Sequence, residues 1–428
     1  MKNRLSVLCV ILVLCSCAST SHYSKVDREL LRGDYQNAYT SLESSRKAYR
    51  EKDYILYCLD LGMLAHYAEK YAESSRLLQD GERAIENAYS RSITQTVGTF
   101  LVNDMTMEYS GEDYEDVYLN VFNALNYYHE GSLEDALVEI RRFNNKLQYI
   151  SGKYGQMITN LQRAALEESA DIPFDPAMVT VNFTNSALAR YLGMLFYRGA
   201  GRWDDARIDR DQVKIAFANH PGLYQFDLPS TLEEELDYPR DKIRFNIVAF
   251  TGLSPIKTAE ELRIPITTSN WVKISLPAIS ARPSAVRSIS VVFDTGERLE
   301  LEPIEDISVV AQETFKQKAG VIYLRSSIRA ITKATAAAVL SDSDRSDVSI
   351  LLGLLTQVYA EVSEQADLRI SRYFPGMALV GGITLDPGTY SYTVNFYDHA
   401  GSVIQSKRFV DVEMRNQGLN LTEVLCLK

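Results

Sequence analysis

Histidine, cysteine and basic charge are scarce in this 428-residue chain, and each shortage removes a class of function. Five histidines, at positions 22, 66, 129, 220 and 399, stand far apart, with nothing like the His-Glu-x-x-His spacing that sets two imidazoles on one helix face for a metal. No metal or cofactor is expected. After residue 17 only Cys58 and Cys426 remain. Two isolated thiols make no disulfide framework and read as small buried hydrophobes, although an exported chain could pair them. Lysine and arginine number 45 against 56 acids, a formal charge of −11 that offers nucleic acid no footing. Catalytic signatures are missing too. Gly152-Lys153 runs into Tyr154 without a glycine five residues earlier, so it is no phosphate loop, and Gly252-Leu-Ser254-Pro-Ile256 lacks the second glycine of a nucleophile elbow. Ser341-Asp-Ser-Asp-Arg-Ser-Asp347 lacks the glycine and distal glutamate of a calcium loop and reads as a solvated turn, as Glu233-Glu-Glu235 reads as solvated surface.

Also absent at the start is an apolar run long enough to cross a bilayer. Leu5-Ser-Val-Leu-Cys-Val-Ile-Leu-Val-Leu14 follows the basic Met1-Lys2-Asn3-Arg4 and is too short for a hydrocarbon core of about 30 Å. Residues 1–16 therefore read as a signal peptide. Leu14-Cys15-Ser16-Cys17 resembles the lipobox of bacterial lipoproteins, in which the cysteine thiol takes a glyceryl lipid and a peptidase cuts before it. Cys17 is the expected attachment site, because Cys15 would leave bulky Leu14 at the cleavage position. Residues 17–24 then form a short lipidated tether. Removing Lys2 and Arg4 leaves 43 basic and 56 acidic side chains, a formal charge of −13, so membrane attachment rests on Cys17 and not on a basic face. Ala18 in place of aspartate favours, by resemblance to enterobacterial sorting, the periplasmic side of the outer membrane.

What is present is periodicity of two kinds. Leu61-Gly62, Ala65, Tyr71, Ser74, Leu78 and Gly81 fall at the spacing of a tetratricopeptide repeat, whose period is about 34 residues. Gly33-Asp-Tyr35-Gln-Asn-Ala38, Gly131-Ser-Leu133-Glu-Asp-Ala136 and Gly201-Arg-Trp203-Asp-Asp-Ala206 align with Tyr71-Ala-Glu-Ser74, the last with one extra residue in its turn. Glycine permits the turn, and the small residue after it lets two helices approach. Residues 25–224 therefore read as stacked helical hairpins, and 19 of the 26 tyrosines lie before residue 225. Some of those tyrosines could line a groove, but most should be core. From Lys242 alternation takes over, at 243–250, 271–276, 287–293, 297–301, 378–385, 390–397 and 402–410. The expected fold is α+β: an all-α repeat solenoid, then a β-sandwich-like domain over 225–428 interrupted by a helical hairpin over about 305–367. The apolar stretch 328–362 within it should be buried or should meet a partner or membrane.

Several segments together resemble an uncharacterised family of bacterial tetratricopeptide-containing lipoproteins. They are Asn103-Asp104 through Tyr109-x-Gly111-Glu112-x-Tyr114-Glu115 with Asn120 and Ala124-Leu-Asn126-Tyr127, then Leu192-Gly193-Met-Leu-Phe196 and Glu305-Asp306-Ile, and last Glu364-Gln-Ala-Asp367-x-Arg369 leading to Leu385-x-Pro387-Gly388-Thr389-Tyr390. Their order carries the likeness along nearly the whole mature chain. The resemblance implies the same architecture and, since such proteins are encoded near activators of penicillin-binding proteins, a link to peptidoglycan synthesis. It implies no established activity.

Asn103, Asp104, Tyr109, Glu112 and Tyr114, with Asp367 and Arg369, form the candidate polar or interaction motif. Asp104 and Glu112 also stand where helix caps belong, and Asp367 and Arg369 where a helix hands over to a strand. With no catalytic residue found, the expected function is that of an envelope scaffold binding another protein. A carrier for a lipid or other apolar ligand is the alternative, and a hydrolase whose carboxylates meet only in space the second.

Overall fold

Four helical hairpins lead the chain, and their turns share one backbone solution. The computed structural model describes residues 21–94, 105, 107–150, 152–167, 174–175, 179–265, 271–342 and 366–428. Helices α1 (Ser21–Leu31) and α2 (Tyr35–Ser44), α3 (Tyr54–Tyr67) and α4 (Tyr71–Thr94), α5 (Asp113–His129) and α6 (Leu133–Ile150), and α8 (Ala187–Gly199) and α9 (Trp203–Asn219) pack pairwise; α7 (Gly155–Glu167) follows the third pair. Gly33, Glu69, Gly131 and Gly201 occupy the same left-handed position, with φ of 77°, 58°, 84° and 74°. The next amide closes back on a carbonyl five residues earlier in every case: Asp34 on Glu29, Lys70 on Ala65, Ser132 on Tyr127 and Arg202 on Tyr197, at 2.8–3.0 Å. These bonds satisfy helix-end carbonyls that water would otherwise have to reach.

Close approach within the pairs depends on small residues. A methyl at Gly62 would lie 2.8 Å from the Leu78 side chain, and one at Gly193 would lie 2.3 Å from the Asp209 carboxylate. The first helix of each later pair is buried nearly all round. In α3 burial runs from Ile55 to Tyr67 with one break, because its sequence is apolar on every face. The second helices are amphipathic and keep one side in water.

The C-terminal half supplies β1 (Ile243–Thr251), β2 (Ile256–Pro265), β3 (Trp271–Ser280), β4 (Ser288–Phe293), β5 (Arg298–Glu300), β6 (Glu302–Asp306), α10 (Ile307–Asp342), β7 (Met377–Leu385), β8 (Gly388–Tyr397), β9 (Val403–Met414) and β10 (Asn420–Cys426). One sheet runs β10-β1-β7-β6, with β10 parallel to β1 and the other pairs antiparallel. A second, antiparallel sheet runs β5-β4-β8-β9, and β2 and β3 form a separate ribbon. Strand β1 is buried along its whole length because both its faces are covered. Phe245, Ile247 and Ala249 meet Val291, Phe293 and Tyr392 of the second sheet, whereas Val248 and Phe250 join the helical core. Helices, mixed sheet and antiparallel sheet thus stack as three layers, and the chain is mixed α+β with helices first. The apolar core that begins at Val26 ends at Leu427.

Strands β2, β6 and β10 carry no signal strong enough to stand out: β2 is rich in charge, β6 is short, and β10 sits alone at the end. Helix α10 packs on β3, α7 and α5, and Ile328 and Ala330 of the apolar stretch are buried. Arg329 between them is buried too, the side chains of 331–342 and the whole of 343–362 lie outside the described residues, and so do Cys17, Asn103 and Asp104. Among the described residues no helix is long and apolar enough to cross a membrane. Cys58 and Cys426 are buried free thiols, so they do not pair.

Glu233-Glu-Glu235 corrects an expectation. Glu233 and Glu234 are in water, but Glu235 is fully buried between Arg198, 2.8 Å away, and Arg244, 2.9 Å away, with Asn246 donating to it at 2.7 Å. Arg244 points to the helices from β1, and nothing local to the three glutamates signals which one turns inward. Gly382 opposite makes room, since a methyl there would lie 2.1 Å from a Glu235 oxygen.

Candidate functional site

Two polar clusters are built where the helical layer meets the C-terminal half. The first gathers most of the sequence motif. Arg369, just before Ile370-Ser-Arg-Tyr-Phe374, reaches Asp53 at 2.9 Å, Asp367 at 2.7 Å and the Met107 carbonyl at 3.1 Å, and lies 5.5 Å from the centre of the Tyr109 ring. Burial would raise the Asp367 pKa, but the guanidinium outweighs it and holds the carboxyl below its ordinary range. The Tyr109 hydroxyl donates to Glu115 at 2.7 Å. Glu115 also accepts from its own helix start, through the Glu112 amide at 2.8 Å, and from the Ser371 amide at 2.6 Å. Burial and the neighbouring Glu112 carboxylate raise its pKa. Glu112, the residue that opens α5, takes Lys257 at 2.6 Å and Lys318 at 2.8 Å. Tyr114 stands slightly apart, its hydroxyl 3.4 Å from Ser254 and its ring edge-on to Phe374.

Asp60, deep in α3, completes the attachment. It accepts from Ser371 and Arg372 at 2.9 and 2.8 Å and from Tyr49 at 2.9 Å, and burial pushes its pKa up to about 6. Every charge of the motif among the described residues, Glu112, Asp367 and Arg369, is therefore spent on a partner inside the chain. The arrangement clamps 366–374 onto the helices. A cavity of about 350 Å³ opens beside it, with Tyr109, Lys257, Lys318 and Asp367 on its wall. Asp53, Glu115, Lys257 and Lys318 were not among the sequence candidates; Lys257 and Lys318 sit in stretches without a motif.

The second cluster lies at the opposite kind of place, where hairpin turns meet the sheet edges. His66 of α3 and His129 of α5 both bind Glu423 of β10, each through Nε2 at 2.8 Å and each to a different carboxylate oxygen. Its protonation can be read from the bonds. Ser74 donates to the Gly62 carbonyl at 2.8 Å and so accepts from the Asn126 amide at 2.9 Å, which turns the Asn126 oxygen to His66 Nδ1 at 2.6 Å. Both His66 nitrogens donate, and the ring is an imidazolium. Burial opposes that charge, but Glu423 and the two hydrogen bonds prevail and leave the His66 pKa raised. Burial likewise pushes Glu423 up, and the two histidines more than reverse it. His129 is a fifth exposed and stacks on Tyr71, ring centres 4.3 Å apart.

A cavity of about 370 Å³ opens over this cluster, walled by Arg32, Tyr35, Tyr71, Lys407 and Lys428 among others. Spacing gave no warning of it, because its members come from the ends of three hairpins, from β9 and from the end of the chain at and after β10. Among the described residues no group of three or more histidine, cysteine or acidic side chains is placed to hold a metal. No protein-family model, curated protein or solved structure matches the chain.

Proposed function

We propose that this chain is a lipoprotein, attached through Cys17 to the periplasmic side of the outer membrane, that binds another envelope protein and serves as a scaffold in a setting linked to peptidoglycan synthesis. In this reading the hairpins are tetratricopeptide-like repeats and the two four-stranded sheets a sandwich. The shared turn geometry and the shared interior of the two sheets support those assignments. Repeat arrays bind through extended surfaces. One long face of this array is already covered by β1, β7 and 370–374, which leaves the row of second helices for a partner.

The observation that carries the reading is the apolar surface on that row. Val138 and Tyr149 of α6 are 42% and 73% exposed, and Ile208 and Ile215 of α9 are 60% and 41% exposed. Separations of 11 and 7 residues set each pair on one side of its helix. A photo-crosslinking side chain at position 149 or 208, introduced into the full chain in living cells, should give one defined protein adduct that Ile208→Asp or Tyr149→Asp abolishes. Absence of any protein adduct from both positions would refute the scaffold. Cys17→Ser should release the protein from the membrane fraction and leave the signal peptide uncut; unchanged fractionation and size would refute the anchor.

A further inference from the structure

We propose that the cavity over His66, Glu423 and His129 binds a small organic anion, a carboxylate or phosphate group carried on an apolar or aromatic body. The inference is independent of the scaffold reading. Four features of the walls lead to it.

The first is charge. The chain as a whole is acidic, at −11, but this cavity collects Arg32, Lys407, Lys428 and the His66 imidazolium against only Glu69 and Glu423. Glu423 is already shared by two imidazoles. Among the described residues no carboxylate lies within ion-pairing distance of Arg32, Lys407 or Lys428, in a molecule where most cations near an acid are paired. Lys428 gives one hydrogen bond to the Ile404 carbonyl at 3.0 Å and Lys407 lies 5.1 Å from the centre of the Phe409 ring, but neither charge is neutralised. Cations without an acid grouped at one concave site raise the local concentration of anions.

The second feature is the fixed imidazole. Glu423 holds His129 through Nε2, and Tyr71 holds the plane of the ring, so in this cavity-lining histidine Nδ1 is left without a partner among the described residues. A carboxylate that orients one nitrogen of a histidine prepares the other for a ligand. Third, the tyrosine rings of residues 35, 67 and 71 line the same space, and Tyr35 and Tyr67 lie 5.9 Å apart. They offer flat apolar area with a polar edge, which suits an aromatic or short aliphatic body. Fourth, about 370 Å³ falls within the range of small-molecule sites. A metal is a poor fit, because both Nε2 atoms are spent on one carboxylate.

The test is isothermal titration of the detergent-solubilised full chain, with micelle blanks, using phenyl phosphate, phenylacetate, inorganic phosphate and neutral benzyl alcohol. Phenyl phosphate and phenylacetate should bind saturably below millimolar concentration, and benzyl alcohol should not. Inorganic phosphate should bind roughly tenfold more weakly than phenyl phosphate, and equal affinity would overturn the role given to the tyrosines. Lys407→Glu and Arg32→Glu alter exposed side chains and should leave the melting temperature unchanged while weakening both anions roughly tenfold each. No saturable heat with either aromatic anion, or binding that ignores both charge reversals, overturns the proposal.

Discussion

The clamp around Arg369 and the cavity around Glu423 use the same materials, buried acids with basic and aromatic partners, to opposite ends. In the clamp each cation meets carboxylates of its own chain, so Arg369, Lys257 and Lys318 have nothing left to offer a ligand. In the cavity one carboxylate serves two histidines, and three further cations stand by without an acid. A closed network transmits position and an open one keeps binding capacity. Glu112, Tyr109, Asp367 and Arg369, which stood out in the chain, belong to the closed network.

That contrast breaks first at Arg369. Its removal strands the mostly buried Asp367 and leaves Asp53 only the exposed Arg50 at 2.9 Å, and uncompensated buried charge is costly. Arg369→Met should lower unfolding free energy by about 4 kcal/mol in urea titrations, with Arg369→Lys recovering only part because it cannot fork between two acids. A loss near zero would mean that the cluster is an open site after all. Glu423→Gln should cost about 3 kcal/mol, since the His66 imidazolium loses its counter-charge in a fully buried position. His129→Gln, a fifth exposed, should cost under about 1 kcal/mol while removing the binding of aromatic anions. The split between these two histidines sharpens the comparison: one is structural and the other faces the ligand.

Legibility follows the same line. Tyr109, Glu112 and Arg369 were visible because they sit beside turns and helix starts, where local chemistry constrains residue type: Gly111 has a φ of 76° and Glu112 opens α5. The four hairpin turns were visible for that reason too. The mixed α+β plan and most strands follow from periodicity alone. Glu235, Lys257 and Glu423 were not visible, because what fixes each is a partner between 9 and 357 residues away, brought near only by the packing of helices, turn and strands on one another. Glu423 faces the hairpin ends because β10 pairs parallel to β1, with Val248 opposite it. No local pattern contains that pairing.

Asp60 tests the clamp by pH. Its folded pKa of about 6 stands above the ordinary carboxylate value, so between about pH 4 and 6 the native state keeps a proton that the unfolded chain releases. An acid raised in this way stabilises the fold least when it is ionised: its contribution falls as pH rises through that window. Relative to Asp60→Asn, which does not titrate, the unsubstituted protein should lose on the order of 2–3 kcal/mol between pH 4 and pH 7. A constant difference across that range would show that Asp60 is solvated and that 366–374 is not held as described.

The smallest expected effect joins the repeat to the cavity. Glu69 occupies the left-handed turn position that glycine holds in the other three hairpins, a conformation in which a side chain is strained. It is also exposed and is the one acid on the cavity wall not taken up by histidine. Glu69→Gly should therefore relieve backbone strain, although the freer unfolded chain offsets part of the gain, leaving a net stabilisation of about 0.5 kcal/mol. It should at the same time strengthen binding of phenyl phosphate a few-fold by deleting a negative charge. Measured together, melting temperature and affinity would rise in the same variant. A clamp residue permits no such outcome, because there any charge removed for a ligand is taken from the fold.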